Sequence, residues 1–395
     1  MQRVPIQLNF VSVNFNKCYK VKSMKIFIVG NYGLKNLGDE LILASIIYNL
    51  RKKFKNSPIT VLSFDPQETT LQHKVNSILN KNDFKNLINI CKEIYKSDIV
   101  LCGGGGILMV IKSIRPVLYY FLPIYIAKVF LKPIFFYGVG AGPINTKLGR
   151  FIVKITCNLA NAISVRDEKS KNLLQSIGVK KPINVTLDPA IFFREPSDIP
   201  PPKNIKSQKP IIGISIVPWG DKRYPYTRIG NNIFEFNRYK RNIAHLVSYI
   251  VDKIDAEIIF IPMKYPSDTI VIDEIIDLLP ESIKIKTKRP EKHELSELFN
   301  VFRDIDLFIG CRLHSIILST IMNIPTIAIA YHEKVKSYME LLKEEERVIE
   351  IDNFNMERIY KVFEETWNNR EIITMNLKRK IEKIKVEYKE IDIIT

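Results

Sequence analysis

Three short apolar segments in the first half of the chain each end in a glycine-rich loop. They have the composition of buried strands, and stretches of helical pattern separate them: Met24–Val29, Asp98–Cys102 and Ile134–Tyr137. Right-handed crossovers place the ends of parallel strands at one edge of a sheet. We therefore expect the three loops, with Gly104, Gly105 and Gly140, to line one ligand-binding crevice. The alternative is that these glycines serve close packing between loops.

The first of these loops departs from the standard phosphate-binding fingerprints. Gly33 and Gly38 have the spacing of a P-loop, but Asp39 and Glu40 occupy the positions where Lys and Ser or Thr are required. The GxGxxG pattern is absent as well, so ATP hydrolysis by a P-loop is excluded. A helix is predicted to begin at Leu41. Asp39 then has two interpretations, a general acid at the helix start or the helix N-cap.

A strand–loop–helix–strand unit in the second half carries the most reactive side chains. Ile305–Ile309 is a predicted strand, Ser315–Met322 a buried helix and Thr326–Ala330 the next strand. Arg312 and His314 lie in the turn before the helix, whose free N–H groups suit an anion. Arginine can grip a carboxylate or phosphate with two hydrogen bonds, and histidine can move a proton near neutral pH. We interpret this turn as an anion-binding, catalytic cradle, the alternative being a solvated surface turn.

Two further basic residues follow predicted strands in the same way. Lys334 comes soon after Thr326–Ala330, and Arg166 stands between the strand Ala162–Val165 and a helix. In open α/β sheets, ligands collect beyond the carboxyl ends of the strands. Both cations are therefore candidate ligands for an anionic substrate.

A proline-rich polar stretch divides the chain into two halves of βαβ type. Residues 195–210 contain five prolines, which is typical of a linker. We expect an α/β protein of two Rossmann-like domains, with parallel sheets that face each other across a cleft. The expected segments are an extension ahead of the native start (1–23), an N-terminal domain (24–195), a linker (196–210), a C-terminal donor-binding domain (211–370) and a basic C-terminal helix (371–395).

The charge of the chain favours anionic partners. The formal net charge is +17, which suits acidic ligands or an anionic membrane surface. Nucleic acid is not favoured, because zinc-finger spacing, RNA-recognition signatures and dense basic helices with aromatic residues are absent. The five cysteines form no CxxC motif and the histidines no metal-ligand pair of helical spacing. We therefore expect a reducing, cytoplasmic compartment and no bound metal.

The longest apolar stretch, residues 116–137, is too interrupted to span a membrane. It contains Lys128 and Lys132 and is broken by Pro123 and Pro133. We expect a buried helix followed by a strand, in preference to a surface patch that dips into the membrane interface.

Taken in order, the motifs resemble those of the polysaccharide pyruvyl transferase family. The matching segments read GNYGLKNLGDE, DIVLCGGGG, FFYGVGAGPI, SVRDEKSKNLLQSIGV, TLDPAIF, GISIVPW and DLFIGCRLHSIILSTIMNIPTIAIAYHEKV. The resemblance implies a GT-B-like fold with phosphoenolpyruvate as the donor substrate and no cofactor. It implies transfer of the enolpyruvyl-derived group onto two hydroxyls of a sugar in a surface polysaccharide or its precursor. The products would be a pyruvate ketal and phosphate.

The resemblance also implies roles for individual residues. Arg312 and His314 of the Arg-Leu-His element would hold the donor, together with Arg166 of the RDxxS segment. Lys334 would neutralise the phosphate, and His314 or Asp39 would be the acid that protonates the methylene carbon. A lipid-linked acceptor would bring the protein into peripheral contact with the inner face of the cell membrane. The alternatives are a GT-B glycosyltransferase that uses a nucleotide sugar, and a non-catalytic scaffold of a polysaccharide pathway. The oligomeric state stays open.

Overall fold

The first half of the chain folds around a seven-stranded parallel sheet. The computed structural model describes residues 23–81, 83–111, 113, 115–193, 209–221, 223, 233–291 and 293–388. The strands of this half are β1 (Ile26–Val29), β2 (Ile59–Ser63), β3 (Asn76–Leu79), β4 (Ile99–Gly103), β5 (Leu108–Val110), β6 (Ile134–Val139), β7 (Ala141–Ile144), β8 (Ala162–Val165) and β9 (Ile183–Val185). The sheet order is β3-β2-β1-β4-β6-β8-β9, and β5 pairs with β7 beside it. Because the order reverses between β1 and β4, a crevice opens at the carboxyl ends of these two strands.

Six helices cover the two faces of this sheet. They are α1 (Leu37–Lys53), α2 (Pro66–His73), α3 (Phe84–Lys96), α4 (Arg115–Val129), α5 (Lys147–Leu159) and α6 (Glu168–Ser176). Strand side chains alternate between the faces. Phe27 and Val29 pack into one buried cluster with α3, α4 and α5, whereas Ile26 and Ile28 pack into another with α1. The helix α1 therefore lies on the side of the sheet opposite to α3–α5.

The second half repeats the arrangement with six parallel strands. They are β10 (Ile211–Ser215), β11 (Glu257–Phe260), β12 (Thr287–Lys288), β13 (Leu307–Gly310), β14 (Thr326–Ala330) and β15 (Val348–Glu350), in the order β12-β11-β10-β13-β14-β15. The helices are α7 (Ile233–Ile254), α8 (Ser267–Ile276), α9 (Glu281–Lys284), α10 (Leu295–Arg303), α11 (Leu313–Ile321), α12 (Glu333–Leu342), α13 (Met356–Asn368) and α14 (Arg370–Glu387). The order reverses between β10 and β13, so the second crevice opens where α11 begins.

The two halves share a buried apolar cluster. It joins α1 and the 3-10 turn Pro189–Phe192 of the first half to α10 and α11 of the second. Phe193 stacks on Phe299 with ring centroids 4.7 Å apart. A backbone hydrogen bond crosses the boundary as well, from the N–H of Leu37 to the carbonyl oxygen of Met263 at 2.8 Å. The N-terminus of α1 is thus held against a loop of the second half.

The α/β class with two parallel sheets is as predicted, whereas the domain boundaries stay predictions. The extension and all but the last two residues of the linker fall outside the described residues, apart from residue 23. The predicted C-terminal helix begins at Arg370 and is described as far as Tyr388. The apolar stretch 116–137 forms α4 and the start of β6, the helix and strand that were expected, but α4 is buried on one side only, since Leu118 and Val129 are exposed.

Two helix starts differ from the prediction. The helix α1 begins at Leu37 rather than Leu41, and α11 begins at Leu313 rather than Ser315. Asp39 therefore lies in the first turn of a helix, and His314 lies on a helix instead of in the preceding turn.

Candidate functional site

The first turn of α1 presents a buried carboxylate. The N-cap is Asn36, whose side chain accepts a hydrogen bond from the N–H of Gly38, so Asp39 does not cap this helix. Instead, Asp39 Oδ2 accepts hydrogen bonds from the side-chain amides of Asn31 at 2.5 Å and Asn36 at 2.6 Å. Only 6% of Asp39 is exposed. The two amides fix its orientation but leave Oδ1 without a donor among the described residues.

Burial shapes the acidity of this carboxyl. It raises the pKa of Asp39, and this effect outweighs the opposing influence of His314, Asn31 and Lys264. Asp39 therefore keeps its proton to a higher pH than an exposed aspartate does. A buried carboxyl with a raised pKa is suited to act as a proton donor.

The glycines after β4 and β6 allow close approach to these side chains. Gly104 and Gly105 have φ values of +62° and +71°, which favour glycine. A Cβ atom at Gly105 would lie 3.1 Å from Asp39 Oδ1, and one at Gly140 would lie 2.8 Å from Arg166 Nη2. The backbone at Gly105 and Gly140 therefore packs directly against the side chains of Asp39 and Arg166. The alternative stated above, close packing between loops, also describes Gly140, whose N–H bonds the Gly105 carbonyl oxygen at 2.8 Å.

We expect Gly104→Ala to destabilise the fold by roughly 3 kcal/mol, the sum of an unfavourable positive φ and overpacking. Its new methyl group would clash with the Cγ2 atom of Ile42 in α1. The matched control is Gly106→Ala, where a Cβ meets nothing within 4 Å among the described residues. Urea unfolding of the two variants measures the difference. Equal stability of both would contradict the close packing of the β4 loop against α1.

A second buried carboxylate collects two of the predicted cations. Asp188 Oδ2 lies 3.1 Å from Nη1 of Arg166 and 3.4 Å from Nε2 of His314. Asp188 Oδ1 accepts a hydrogen bond from the N–H of Ala190. Burial alone would raise the pKa of the Asp188 carboxyl, but His314, Arg166 and this N–H hold it well below its usual range. Asp188 is thus a permanent anion that positions Arg166 and His314.

His314 bridges the two halves of the chain. Its ring lies against Gly38 in α1 so closely that a side chain at that glycine would clash with Nδ1. Its Nε2 faces Asp188 across the 3.4 Å gap, yet no described residue makes a hydrogen bond to this buried atom. The contact between this atom and Asp188 is therefore electrostatic.

Arg312 is anchored by a third carboxylate. Its Nη2 and Nε donate to the two oxygens of Asp268 at 2.5 and 3.2 Å. Asp268 is fully buried and also accepts hydrogen bonds from the N–H groups of Met263 and Lys264. Arg312 occupies the N-cap position of α11 but forms no side-chain capping bond. The first N–H groups of that helix are therefore open to an anion.

Lys334 and Arg312 both interact with the side chain of Tyr331. The ammonium group of Lys334 is 5.8 Å from the centre of the Tyr331 ring. Burial alone would raise the pKa of the Tyr331 phenol, but Lys334 and Arg312 lower it below its ordinary value. The two cations thus act on one point at the carboxyl end of β14.

Comparison with protein families gives a match that covers most of the residues described above. A family model described as polysaccharide pyruvyl transferase matches residues 36–333, well over half of the chain. This chain belongs to the polysaccharide pyruvyl transferase family. Comparison with curated protein sequences gives no significant match. The matched range includes Asp39, Arg166, Arg312 and His314, and it ends one residue before Lys334.

Solved structures identify the fold. UDP-GlcNAc 2-epimerase from Methanocaldococcus jannaschii is similar with a TM-score of 0.60 and 14% identity, over 92% of this chain and 99% of the other. S. aureus MnaA, in a co-structure with UDP, is similar with a TM-score of 0.58 and 14% identity, over 93% and 96% of the two chains. At this identity the likeness shows the fold alone. The chain has the GT-B-like fold that its sequence predicted.

The structure sorts the predicted polar residues into two groups. Arg166 and His314 meet at Asp188, and His314 also interacts electrostatically with Asp39, whereas Arg312 and Lys334 meet near Tyr331. The two groups are adjacent because Arg312 and His314 are two positions apart at the start of α11. The sequence did not single out the counter-ions Asp188 and Asp268. Asp188 did stand in the TLDPAIF motif, but its role depends on a contact with a residue 126 positions further along the chain.

The described part of the chain contains neither a candidate metal site nor a candidate membrane-spanning helix. Within those ranges, no group of three or more His, Cys, Asp or Glu side chains is placed to hold a metal ion. Nor does any helix in them combine the length and apolar character needed to cross a membrane.

Proposed function

We propose that this pyruvyl transferase uses phosphoenolpyruvate to build a pyruvate ketal on two hydroxyls of a sugar, with release of phosphate. The acceptor is a sugar of a surface polysaccharide or its precursor, free or carried on a lipid, at the cytoplasmic side of the membrane. The observation that carries the proposal is the pair of cationic groups that meet at the start of α11. No cofactor is assigned, since phosphoenolpyruvate is itself the activated donor.

The charges of the donor suit these groups. Phosphoenolpyruvate carries a phosphate and a carboxylate on one carbon, and each needs its own cations. Arg312 uses Nε and Nη2 on Asp268, so its remaining donors can reach a ligand oxygen. Lys334 and the uncapped N–H groups of α11 add to the same anion site. We assign the phosphate to Arg312 and Lys334, and the carboxylate to Arg166.

The reaction needs one proton donor and one proton acceptor. Asp39 protonates the methylene carbon, which becomes the methyl group, and the first sugar hydroxyl bonds to the central carbon. His314 takes the proton of that hydroxyl, and anionic Asp188 stabilises the imidazolium that forms. The second hydroxyl then forms its bond to the same carbon as the C–O bond to phosphate breaks. Its proton leaves with the phosphate, and the proton held by His314 returns to Asp39 before the next turnover, so the charges and atoms balance.

The raised pKa of Asp39 and the lowered pKa of Asp188 support this division of roles. The surroundings shift the pKa values of these two carboxyls, which both interact with His314, in opposite directions. Such a pair is the usual arrangement for acid and base work at one site.

Ligand-induced stabilisation tests the donor. With the purified protein, phosphoenolpyruvate should raise the melting temperature, because a ligand at about 100 times its Kd stabilises the native state by about 2.7 kcal/mol. UDP and other nucleoside diphosphates are measured in parallel, since a nucleotide-sugar transferase with this fold would respond to them instead. Release of phosphate with a sugar acceptor and a ketal seen by mass spectrometry would complete the test. A shift with a nucleotide alone would overturn the proposal.

A further inference from the structure

One face of the first domain exposes apolar side chains in unusual number. Ten of the twenty large apolar residues that are exposed in the described part of the chain lie between residues 84 and 155. They belong to α3, α4, α5, the strand β5 and the loop after α4: Phe84, Ile88, Tyr95, Met109, Leu118, Val129, Leu131, Leu148, Phe151 and Ile155. We call this surface the α3–α5 face. The three helices are neighbours, because α4 contacts both α3 and α5.

The exposed residues follow the period of a helix. On α5, Leu148, Phe151 and Ile155 lie three and four positions apart and so form one stripe. Val153 and Cys157 of the same helix are buried against the sheet. The outward stripe is therefore not part of the core of the domain. Phe151 is 59% exposed, which is costly in water unless a partner covers it.

On α3, the buried and exposed apolar residues divide in the same manner. Ile90 and Ile94 pack into the core, while Phe84 is 80% exposed and Tyr95 is 66% exposed. Aromatic side chains of this kind favour the boundary between water and lipid.

The α3–α5 face is also strongly basic. Residues 84–160 contain ten Lys or Arg against two acidic residues, Glu93 and Asp98. The excess of cations remains after both acids are counted: Glu93 pairs with Lys96, and Asp98 accepts a hydrogen bond from the N–H of Lys25. On α5, Lys147 and Arg150 are exposed beside the apolar stripe. A surface that combines apolar side chains with cations fits an anionic lipid layer better than a neutral one.

This face leads directly to the candidate acid. Tyr120 of α4 donates a hydrogen bond to the side-chain oxygen of Asn31 at 2.6 Å. Asn31 in turn donates to Asp39 at 2.5 Å. An acceptor sugar attached to a lipid at the α3–α5 face would thus be near the group that we assign as the proton donor.

We propose that the α3–α5 face docks on a phospholipid bilayer that contains anionic lipids. The inference develops the membrane contact of the proposed function by assigning it to a surface, yet it does not depend on the donor chemistry. Exposed apolar side chains enter the interface, and the cations around them bind the headgroups. The helices α3 and α5 each expose three large apolar residues, whereas α4 exposes two. We therefore expect α3 and α5 to make most of the contact with the bilayer.

Vesicle binding tests the proposal. The full chain is mixed with vesicles of phosphatidylcholine alone, or with added phosphatidylglycerol, and bound protein is measured by flotation. We expect at least about tenfold tighter binding to the anionic vesicles at low salt, and loss of that difference at high salt. The variant Leu148→Asp/Phe151→Asp should bind at least about tenfold more weakly than the wild type. The variant Lys92→Glu/Lys147→Glu should lose the preference for anionic lipid.

Matched controls separate this face from the rest of the surface. Leu71→Asp places a charge at an 80% exposed site on α2, which contacts α1 on the opposite side of the sheet. Lys378→Glu/Arg379→Glu makes the same charge change on α14. Both controls should bind vesicles like the wild type. Equal losses in the controls, or equal binding to both kinds of vesicle, would overturn the proposal.

A second copy of the chain is the competing occupant of this face. Light scattering decides, since a wild-type dimer that Leu148→Asp/Phe151→Asp converts to monomers without affecting vesicle binding would assign the face to self-association. The phosphoenolpyruvate shift is measured on the same variants. If these variants keep the rise in melting temperature with phosphoenolpyruvate but lose vesicle binding, the docking surface is separate from the donor site. Failure of the donor proposal would show instead as no shift in any variant.

Discussion

Replacing Arg312 by alanine should weaken phosphoenolpyruvate binding about 10- to 150-fold, because a charged hydrogen-bonding group contributes about 1.5–3 kcal/mol at an anion site. Arg312 stands at the start of α11, beside Lys334 and the open N–H groups of the helix. Lysine in its place would keep the charge but not the fork of donors, so Arg312→Lys should fall between the two. Titration calorimetry with phosphoenolpyruvate measures the three affinities.

The same substitution should also destabilise the protein. Asp268 is fully buried, and loss of its arginine leaves a carboxylate without a counter-ion at a cost of about 3–5 kcal/mol. The double variant Arg312→Ala/Asp268→Asn removes that charge. An asparagine oxygen can still accept the N–H groups of Met263 and Lys264. We expect the double variant to recover much of the stability and none of the affinity.

This pairing of variants separates folding from binding. Arg289→Ala is the matched control, since Arg289 forms an exposed ion pair with Asp273 in the same domain. An exposed pair contributes at most about 1 kcal/mol, and its loss should leave donor affinity unchanged. Affinity like that of the wild type in folded Arg312→Ala/Asp268→Asn would remove Arg312 from the donor site.

The sequence predicted the frame of the site because that frame depends on local patterns. Apolar runs mark the strands, and the glycines after β1, β4 and β6 mark loops at one sheet edge. Crossover handedness then brings these loops together without knowledge of any side-chain contact. For this reason Gly105 and Gly140 were found from spacing alone, and the structure places them against Asp39 and Arg166.

The counter-ions were missed because they are chosen by tertiary contacts. Asp268 is 44 positions from Arg312, and Asp188 is 22 positions from Arg166. Forty-two acidic residues in the chain offer similar chemistry, so the sequence does not show which of them is buried beside a given arginine. The start of α1 was misplaced for a related reason. Its first turn is held from the second domain by the bond from Leu37 to Met263, which local propensity does not contain.

The segment that runs from Met263 to Asp268, in the first turn of α8, also connects the Arg312 site to the start of α1. Asp268 binds the side chain of Arg312 and the backbone of Met263, and Met263 binds the first residue of α1. The N-cap of α1, Asn36, then donates to Asp39. A change at the anion site can therefore reach the candidate acid through hydrogen bonds that cross the domain boundary.

Asp39→Asn should lower kcat by about 10²–10⁴-fold, the usual effect of removing a general acid, while it stabilises the protein at neutral pH. Burial raises the pKa of Asp39 in the folded state above its ordinary value of about 3.9. Below that value both the folded and the unfolded chain hold the proton, and there is no cost. As the pH rises toward the folded-state pKa, the native state binds more protons than the unfolded state, so stability falls. Above the folded-state pKa the full cost is present.

Asparagine removes this cost, since it is neutral at every pH and still accepts the amides of Asn31 and Asn36. The gain in melting temperature over the wild type should therefore be absent near pH 4 and grow as the pH rises. Asp83→Asn is a control of opposite sign, because hydrogen bonds from Asn86 lower the pKa of this N-cap aspartate. It should destabilise the protein, and its deficit should shrink as the pH falls. Loss of activity in Asp39→Asn with a lower melting temperature at neutral pH would instead make Asp39 a structural anion, and the acid would then be His314.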